Sequence, residues 1–232
     1  QKYFYDSRMR LCRHHVDEIG SKLMSYDNAN QLSSYSEGQS SGTSCSTPSL
    51  GKVSLFYNDL GDIELTDFSD STPDISRKYD KNGNVIETMR GGTKWEYAYY
   101  NNDMLSAEIL KVDTLTFNTS YDRNDYGYIS KITYPSGDSV NQSPDSFGRP
   151  RNLTAENLGF NKVYATDVDY HLNNSIKGFI YGNGIKFRQE LNSRLLPEKL
   201  VDWNQVGVDA SILDIQYTYD DRNNITDIYD AI

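Results

Sequence analysis

Apolar and polar residues alternate along short runs of this chain, and clusters of turn-forming residues separate the runs. Trp95-Glu96-Tyr97-Ala98-Tyr99 and Ile215-Gln216-Tyr217-Thr218-Tyr219 show the period of two that is typical of half-buried β-strands. The runs are too short and too regular in this period to favour helices. Glycine and proline signals predict turns between them, at Gly91-Gly92, Tyr134-Pro135-Ser136-Gly137, Gly159 and Gly182-Asn183-Gly184.

A seven-residue motif recurs and predicts a tight hairpin turn. Its clearest copy, Tyr79-Asp80-Lys81-Asn82-Gly83-Asn84-Val85, has Tyr at position 1, Asp at position 2, Gly at position 5 and an aliphatic residue at position 7. Asp, two free residues and Gly suit a type I turn that ends in a G1 bulge. This geometry makes positions 1 and 7 direct cross-strand neighbours that pack on one face.

Ten copies of this motif predict ten hairpin units across residues 1–232. Besides Tyr79-Asp80, copies start at Tyr5, Tyr26, Tyr57, Tyr99, Tyr121-Asp122, Tyr170 and Tyr219-Asp220, with degenerate copies at Pro144 and Leu191. Position 5 should hold residue types that tolerate positive φ. Eight copies comply, with Asn30, Gly61, Gly83, Asp103, Gly148, Asn174, Asn223 and, after a two-residue insertion, Gly127. Met9 and Leu195 do not fit this rule.

The predicted fold is therefore all-β, a repetitive antiparallel meander of hairpins. Two segments test this prediction. Residues 33–49 form a Ser/Gly-rich insertion, which we predict to be a protruding loop. Residues 9–24 have apolar spacing that also suits an amphipathic helix. We predict a hairpin there, because Tyr5 and Tyr26 keep the repeat register on either side.

Composition agrees with this fold and excludes several classes of function. The chain has 24 Asp against 9 Glu, together with 20 Asn, 16 Gly and 19 Tyr, which favours turns and strands. A net charge of −10 argues against a nucleic-acid partner. The chain contains no run of 18 apolar residues, so its sequence predicts no membrane-spanning helix. Because the chain starts at Gln1 with neither a signal peptide nor a start methionine, we expect a piece of a longer protein.

Cys12, His14, His15 and Asp17 are metal-ligand types, but no second Cys or His pair supports them, since Cys45 and His171 are remote. We therefore expect surface residues around a strand and no metal or cofactor. Two alternatives stay open for the cysteines. They either pair in an oxidising compartment and tether the insertion to the first hairpin, or stay free.

No catalytic constellation stands out from the sequence. Asp167 with Asp169, and Asp220 with Asp221, are carboxylate pairs of the kind used in acid–base hydrolysis, but 24 aspartates make such neighbours common. Gly182-Asn183-Gly184 lacks the Lys-Ser/Thr of a phosphate loop. We predict no enzyme. Most tyrosines should pack within the sheet at position 1, whereas Trp203, Tyr100 and Tyr126 do not occupy that position and are the better candidates for contact with a glycan.

The motif resembles the YD-repeat, or Rhs-repeat, family of large bacterial secreted proteins. That family includes Rhs polymorphic toxins, the B and C components of Tc insecticidal toxins and wall-associated proteins, and animal teneurins carry related repeats. The resemblance covers nearly the whole chain. It rests on the Tyr79 and Tyr219 copies, on Ile129-Ser130-Lys131-Ile132-Thr133-Tyr134-Pro135-Ser136-Gly137, on Asp145-Ser146-Phe147-Gly148-Arg149-Pro150, and on the segment from Tyr170 to Ile185.

The resemblance implies a sheet that spirals into a hollow shell around a toxic C-terminal domain. In that family the repeats themselves are not catalytic, and the proteins are secreted or lie on the bacterial cell surface. The implied partners are the remainder of the same polypeptide and the enclosed toxin domain. The cleavage segment of family toxins contains D-P-x-G motifs, and this chain has no Asp-Pro dipeptide. We therefore expect a segment of the shell wall only.

Two other functions remain as alternatives. The array could be an extracellular adhesion or carbohydrate-binding module that presents one face to glycans. A more distant alternative is a glycosidase-like enzyme. For either a wall or a module, an open meander leaves unpaired strand edges, and we expect edge-to-edge self-association.

Overall fold

The computed structural model describes residues 1–48, 51–157, 160–204 and 211–232. Within these ranges the protein consists of β-strands and turns and contains no α-helix, which confirms the all-β prediction. It follows that no described helix could cross a membrane. The chain divides into two compact units, Gln1–Phe117 and Asn118–Ile232.

The first unit is a meander in which each strand pairs antiparallel with the next. Its strands are β1 (Lys2–Tyr5), β2 (Leu11–Val16), β3 (Gly20–Tyr26), β4 (Leu32–Gln39), β5 (Lys52–Tyr57), β6 (Ile63–Phe68), β7 (Ile75–Tyr79), β8 (Val85–Arg90), β9 (Thr93–Tyr99) and β10 (Leu105–Val112).

The second unit repeats this arrangement, and again consecutive strands pair antiparallel. The boundary between the units falls within its first strand. The strands are β11 (Leu115–Arg123), β12 (Ile129–Thr133), β13 (Ser139–Asn141), β14 (Leu153–Asn157), β15 (Phe160–Tyr170), β16 (Ile176–Tyr181), β17 (Lys186–Leu191), β18 (Pro197–Trp203), β19 (Ser211–Tyr219) and β20 (Ile225–Asp230).

Every motif copy closes a hairpin in the predicted way. In the Tyr79 copy, the N–H of Gly83 donates to the oxygen of Asp80 at 3.2 Å, and the N–H of Asp80 donates to the oxygen of Asn84 at 2.9 Å. These two bonds define a four-residue turn followed by a bulge at position 5. The same pair of bonds forms at the other position-2 residues, which are Asp6, Asp27, Asn58, Tyr100, Asn124, Asp145, His171, Asn192 and Asp220.

Positions 1 and 7 are direct cross-strand partners, as predicted. The pairs are Tyr5–Leu11, Tyr26–Leu32, Tyr57–Ile63, Tyr79–Val85, Tyr99–Leu105, Pro144–Pro150, Tyr170–Ile176, Leu191–Pro197 and Tyr219–Ile225. In the copy assigned to Tyr121 and Asp122, the structure corrects the register by two residues. Arg123 pairs with Ile129 and Asn124 holds position 2, while Asp122 lies within β11 opposite Lys131.

Position 5 adopts the left-handed conformation in all ten copies. The eight residues predicted to do so have φ between 62° and 92°. Met9 and Leu195, which do not fit the expected residue types, adopt it as well, with φ of 61° and 62°. The hairpin register therefore imposes this conformation even on side chains that disfavour it.

A second irregularity follows the turn in nine of the ten copies and was not predicted. Tyr79 pairs with Val85, but the preceding Lys78 pairs with Glu87, so Ile86 has no partner opposite it. This is a further bulge, which bends the strand and increases its twist. Equivalent unpaired residues are Cys12, Ser33, Glu64, Ser106, Ser130, Lys177, Glu198 and Thr226.

The two uncertain segments resolve differently. Residues 9–24 form the β2–β3 hairpin and not a helix, as predicted. The insertion at 33–49 was predicted to be a loop, and this is wrong for its first part, because β4 extends through Gln39 and pairs with both β3 and β5. The turns at Gly91, Tyr134 and Tyr181 are confirmed. Gly159 lies outside the described residues.

Neither unit has a conventional hydrophobic core. Among the described residues, the buried apolar side chains are Cys12, Leu23 and Val168. Most strand residues are half-buried, because each strand is flanked by neighbouring strands of its sheet. Stability must therefore come largely from backbone ladders and from contacts between neighbouring hairpins.

Candidate functional site

In six copies the tyrosine at position 1 links its hairpin to the preceding one. The Tyr79 hydroxyl donates a hydrogen bond of 2.7 Å to the backbone oxygen of Ile63, which is position 7 of the preceding copy. Burial raises the pKa of the Tyr79 phenol. We call this bond between successive hairpins a seam bond. It recurs in the pairs Tyr26–Leu11, Tyr57–Leu32, Tyr99–Val85, Tyr170–Pro150 and Tyr219–Pro197, at 2.6 to 2.8 Å.

The side chain at position 2 stabilises its own turn. Asp80 Oδ1 accepts hydrogen bonds from the backbone N–H of Asn82 at 2.8 Å and of Asn84 at 2.9 Å. The Asn84 amide donates to Oδ2 at 3.0 Å. The bond from the Asn84 side chain is the largest of the causes that hold the pKa of Asp80 below its ordinary value. The same backbone bonds form at Asp6, Asn58, Asn124, Asp145, Asn192 and Asp220.

Successive turns also contact each other through positions 6 and 5. Arg10 Nη1 donates to Asn30 Oδ1 at 2.9 Å, and Asn84 Nδ2 donates to Asp103 Oδ1 at 2.7 Å. Residues at position 5 therefore have a second role besides adopting positive φ. Asn and Asp at this position supply a side-chain acceptor, which Gly lacks. The corresponding contacts are Arg149 to Asn174 at 3.1 Å and Gln31 to the backbone oxygen of Gly61 at 3.4 Å.

A ladder of ion pairs crosses β8, β9 and β10 on one face of the first unit. Lys94 Nζ lies 2.7 Å from a carboxylate oxygen of Glu87 and 2.7 Å from one of Glu96, and Lys111 Nζ lies 2.6 Å from Glu96. The hydrogen bonds from Lys111 and then Lys94 lower the pKa of Glu96 to about 2. Positive and negative side chains alternate on this face. Trp95 and Leu110, which are direct cross-strand partners, lie on the opposite face.

Residues 40–48, which we call the clasp, are fixed to the β2–β3 hairpin. A disulfide joins Cys12 to Cys45, whose Cα atoms are 5.2 Å apart. Arg13 Nη1 donates to the oxygen of Ser44 at 2.7 Å, and Nη2 donates to the oxygen of Ser40. The open alternative of free cysteines is thereby resolved in favour of pairing. Arg13 is 5% exposed, and its guanidinium serves as the anchor of the clasp.

The metal-ligand types near the N-terminus have structural partners. His15 was predicted to lie at the surface, which is wrong, because it is 7% exposed and its ring nitrogens hydrogen-bond Ser21 Oγ and Asp17 Oδ1, each at 3.0 Å. His14 stacks on Tyr3 with ring centroids 4.7 Å apart. No cluster of three or more His, Cys, Asp or Glu residues within the described ranges could hold a metal ion.

The carboxylate pairs separate into two environments. Asp220 serves its turn, accepting the backbone N–H of Arg222 and Asn224, so it is not free for acid–base chemistry with Asp221. Asp167 and Asp169 instead line an open cleft in the second unit, together with Trp203. Gly182 and Gly184 belong to a hairpin turn and not to a phosphate-binding loop. Of the three aromatic residues proposed for glycan contact, Trp203 alone lines this cleft, whereas Tyr126 is 80% exposed in a turn.

The chain therefore has a repetitive hairpin fold, and the same fold occurs in solved structures of Tc toxins. The matches include a TcdB2-TccC3 structure without the hypervariable C-terminal region (TM-score 0.78, 10% identity, 99% of this chain) and a TcdB2-TccC3-Cdc42 structure (0.77, 10%, 96%). The Photorhabdus luminescens Tc holotoxin pore with a mutated TccC3 also matches (0.79, 10%, 99%). This chain spans 12% of each matched chain. No family model matches it, and no curated protein matches it in sequence.

Proposed function

We propose that the protein is a non-catalytic wall segment of a bacterial YD-repeat toxin of the Rhs or Tc type. The observation that carries the proposal is the seam bond. In six of the ten copies the position-1 tyrosine joins its hairpin to the preceding one through a backbone oxygen. A motif whose tyrosine keeps successive hairpins joined suits a barrier that must extend without gaps.

The sparse core supports the same role. A sheet with three buried apolar side chains among its described residues has two accessible faces. One face of a wall would contact the enclosed polypeptide and the other would face solvent. The similarity in fold to the Tc toxin structures over 96–99% of the chain is consistent with such a segment.

The proposed partners are the rest of the same polypeptide and a C-terminal toxin domain that the shell encloses. The wall would act by steric exclusion, keeping the cargo from proteases and from the cytosol of the producing cell until delivery. Secretion or display at the bacterial cell surface follows from this role. A disulfide between Cys12 and Cys45 suits that compartment, because disulfides persist in oxidising environments.

Electron microscopy of the intact parent polypeptide, combined with limited proteolysis, tests the proposal. A protease site placed in the exposed turn at Leu60 serves as a reporter of the wall. We expect a hollow particle with this segment in its wall, and a C-terminal domain that resists protease until the wall is cut. An extended array without a lumen, or a C-terminal domain cleaved as fast in the intact particle as alone, would overturn the proposal.

A further inference from the structure

The open cleft of the second unit lies on one face of β15 to β18 and has a volume of about 350 Å³. In register, Gly178 of β16 lies opposite Asp169 of β15 on one side and opposite Arg188 of β17 on the other. Because directly paired residues share a face, the Asp169 and Arg188 side chains rise on either side of a glycine. The hollow between them is lined by the bare backbone of Gly178, where an added Cβ would lie 3.0 Å from the backbone oxygen of Phe187.

The indole of Trp203 bounds one end of this hollow. Trp203 of β18 pairs with Lys186 of β17, which pairs in turn with Ile180 of β16, so the three lie on the same face as Gly178. Trp203 is half-buried, and it lines the cleft with part of its indole exposed. An indole presents a large, rigid apolar surface together with a polar N–H.

The charges around the cleft differ from those of the chain as a whole. Lys177, Lys186 and Arg188 line it together with two carboxylates, Asp167 and Asp169, in a protein whose net charge is −10. Arg188 Nε also lies 3.5 Å from a carboxylate oxygen of Glu190. Asp167, Asp169, Lys177 and Arg188 are exposed and therefore accessible to a ligand. This combination of cations, carboxylates and one indole, beside the apolar Phe179, Ile180 and Phe187, distinguishes the cleft from an ordinary stretch of sheet.

Asp167, at the rim of the cleft, has a left-handed backbone conformation with a φ of 55°, although it occupies no motif turn. Asp is among the residue types that tolerate positive φ. The N–H of Asp167 donates to Asn152 Oδ1 at 3.2 Å, which holds the irregular strand in place. The position of the Asp167 carboxylate in the lining is therefore fixed by its backbone.

We propose that this cleft binds a short saccharide that carries a carboxylate. The apolar face of a sugar ring stacks on Trp203, as apolar rings do on indoles. The carboxylate pairs with Arg188 and the neighbouring lysines through charge-assisted hydrogen bonds. Asp167 and Asp169 accept hydrogen bonds from ring hydroxyls, which are donors as well as acceptors. The volume lies within the range of small-molecule sites.

This ligand class explains all three groups of residues together. A simple inorganic anion would use the cations but would be repelled by the two carboxylates and would leave Trp203 without a role. A basic cargo peptide would be repelled by the three cations of the lining and would leave Trp203 without a role. A neutral sugar would use Trp203 and the aspartates, but it would leave three cations without a partner in the ligand.

Fluorescence of Trp203 gives a direct test, because the chain has two tryptophans and Trp95 lies in the first unit. A Trp95→Phe variant of the whole chain isolates the Trp203 signal. Methyl glucuronide and sialyllactose are titrated against it, with methyl glucoside and lactose as their neutral counterparts. We expect a saturable change in emission with the acidic sugars and binding about tenfold weaker with the neutral ones, as for the loss of one charge-assisted contact.

Two variants in the same background assign the contacts. Arg188→Gln should lower the affinity for acidic sugars about tenfold and leave that for neutral sugars unchanged. Trp203→Ala, followed by saturation-transfer NMR on the sugar protons, should abolish the signal from both. Circular dichroism confirms that each variant is folded, and the exposed Arg188 keeps the test valid if Trp203→Ala does not fold.

The absence of a saturable response would overturn the proposal. Equal affinity for acidic and neutral sugars, or an equal response to sodium acetate or to polyglutamate, would overturn it as well. These outcomes are independent of the wall proposal, because a shell segment needs no bound sugar.

Discussion

The hydroxyl of Tyr79 lies 2.7 Å from the backbone oxygen of Ile63, in the hairpin that precedes its own. A tyrosine that a repeat motif places beside a turn thus acts outside its own repeat. The bond removes one donor and one acceptor from water at the point where two hairpins meet. Each seam of this kind joins neighbouring hairpins by a contact additional to their strand ladder.

Removing that hydroxyl should destabilise the protein measurably. In Tyr79→Phe the ring still packs, but the Ile63 oxygen loses its partner, so we expect the free energy of unfolding to fall by about 1–2 kcal/mol. Urea denaturation followed by circular dichroism measures the change. Tyr126→Phe, at a tyrosine that is 80% exposed, should change stability by less than about 0.5 kcal/mol. Equal effects of the two variants would refute the role of the seam bond.

Substitution by glycine at position 5 should raise stability in two copies. Met9 and Leu195 hold φ of 61° and 62°, a conformation that costs an L-residue about 1–2 kcal/mol. Because glycine relieves this strain but also gains freedom in the unfolded chain, Met9→Gly and Leu195→Gly should each stabilise the protein by about 0.5–1 kcal/mol. The reverse change, Gly83→Ala, should destabilise it by about 1 kcal/mol, since its Cβ would meet no atom within 4 Å and the backbone is the only penalty.

The clasp should depend on its disulfide. The Cys12–Cys45 bond closes a separation of 33 residues, and its removal in Cys12→Ser/Cys45→Ser should cost about 3–4 kcal/mol. Reduction by dithiothreitol should have a similar effect on the wild-type chain and none on the double variant. Limited proteolysis should then cut within residues 40–48 first. Resistance of that segment after reduction would show that Arg13 alone retains it.

The ion-pair ladder predicts how stability depends on pH. The pKa of Glu96 is lowered from 4.5 to about 2 in the folded protein, so its contribution is complete above about pH 4.5 and is lost as the pH falls toward 2. Chemical denaturation from pH 6 to pH 2.5 should therefore show a smaller acid-induced loss in Glu96→Gln than in the wild type. Glu18→Gln, at an exposed turn residue, serves as the control and should follow the wild type.

The outer strand of the second unit predicts self-association. All six residues of β20 are exposed, and among the described residues its one strand neighbour is β19. An open edge recruits other strands. Light scattering at rising concentration should show oligomers, and Ile228→Lys with Tyr229→Lys should reduce them, whereas Leu60→Lys in a remote exposed turn should not. Monomeric behaviour at every concentration would contradict the prediction.

The sequence predicts the hairpins well because their determinants are local. Asp80, Gly83 and Val85 lie within six residues of one another, and the turn chemistry that links them acts within the same segment. The pairing of position 1 with position 7 follows directly from that chemistry. The register of the sixth copy was missed because Tyr121-Asp122 matches positions 1 and 2, whereas Arg123, the true position 1, is not a tyrosine.

Contacts between hairpins were harder to predict. Position 1 was correctly predicted to pack in the sheet, but the acceptor of its hydroxyl lies 14 to 25 residues earlier in the chain. The burial of Arg13 depends on the clasp, which no periodicity marks. The cleft likewise forms only when β15 to β18 align, and the sequence indicates Asp167 with Asp169 as a pair but gives no link between that pair and Trp203. The abundance of Asp had made the carboxylates uninformative on their own.

The seam bond has a consequence for how such arrays change over evolutionary time. Its acceptor is a backbone oxygen, supplied equally well by Leu11, Ile63, Val85 and Pro150. A hairpin with a suitably placed tyrosine can therefore follow almost any other hairpin, whatever the side chain it meets. Duplication, deletion or exchange of single hairpins should leave the junctions intact.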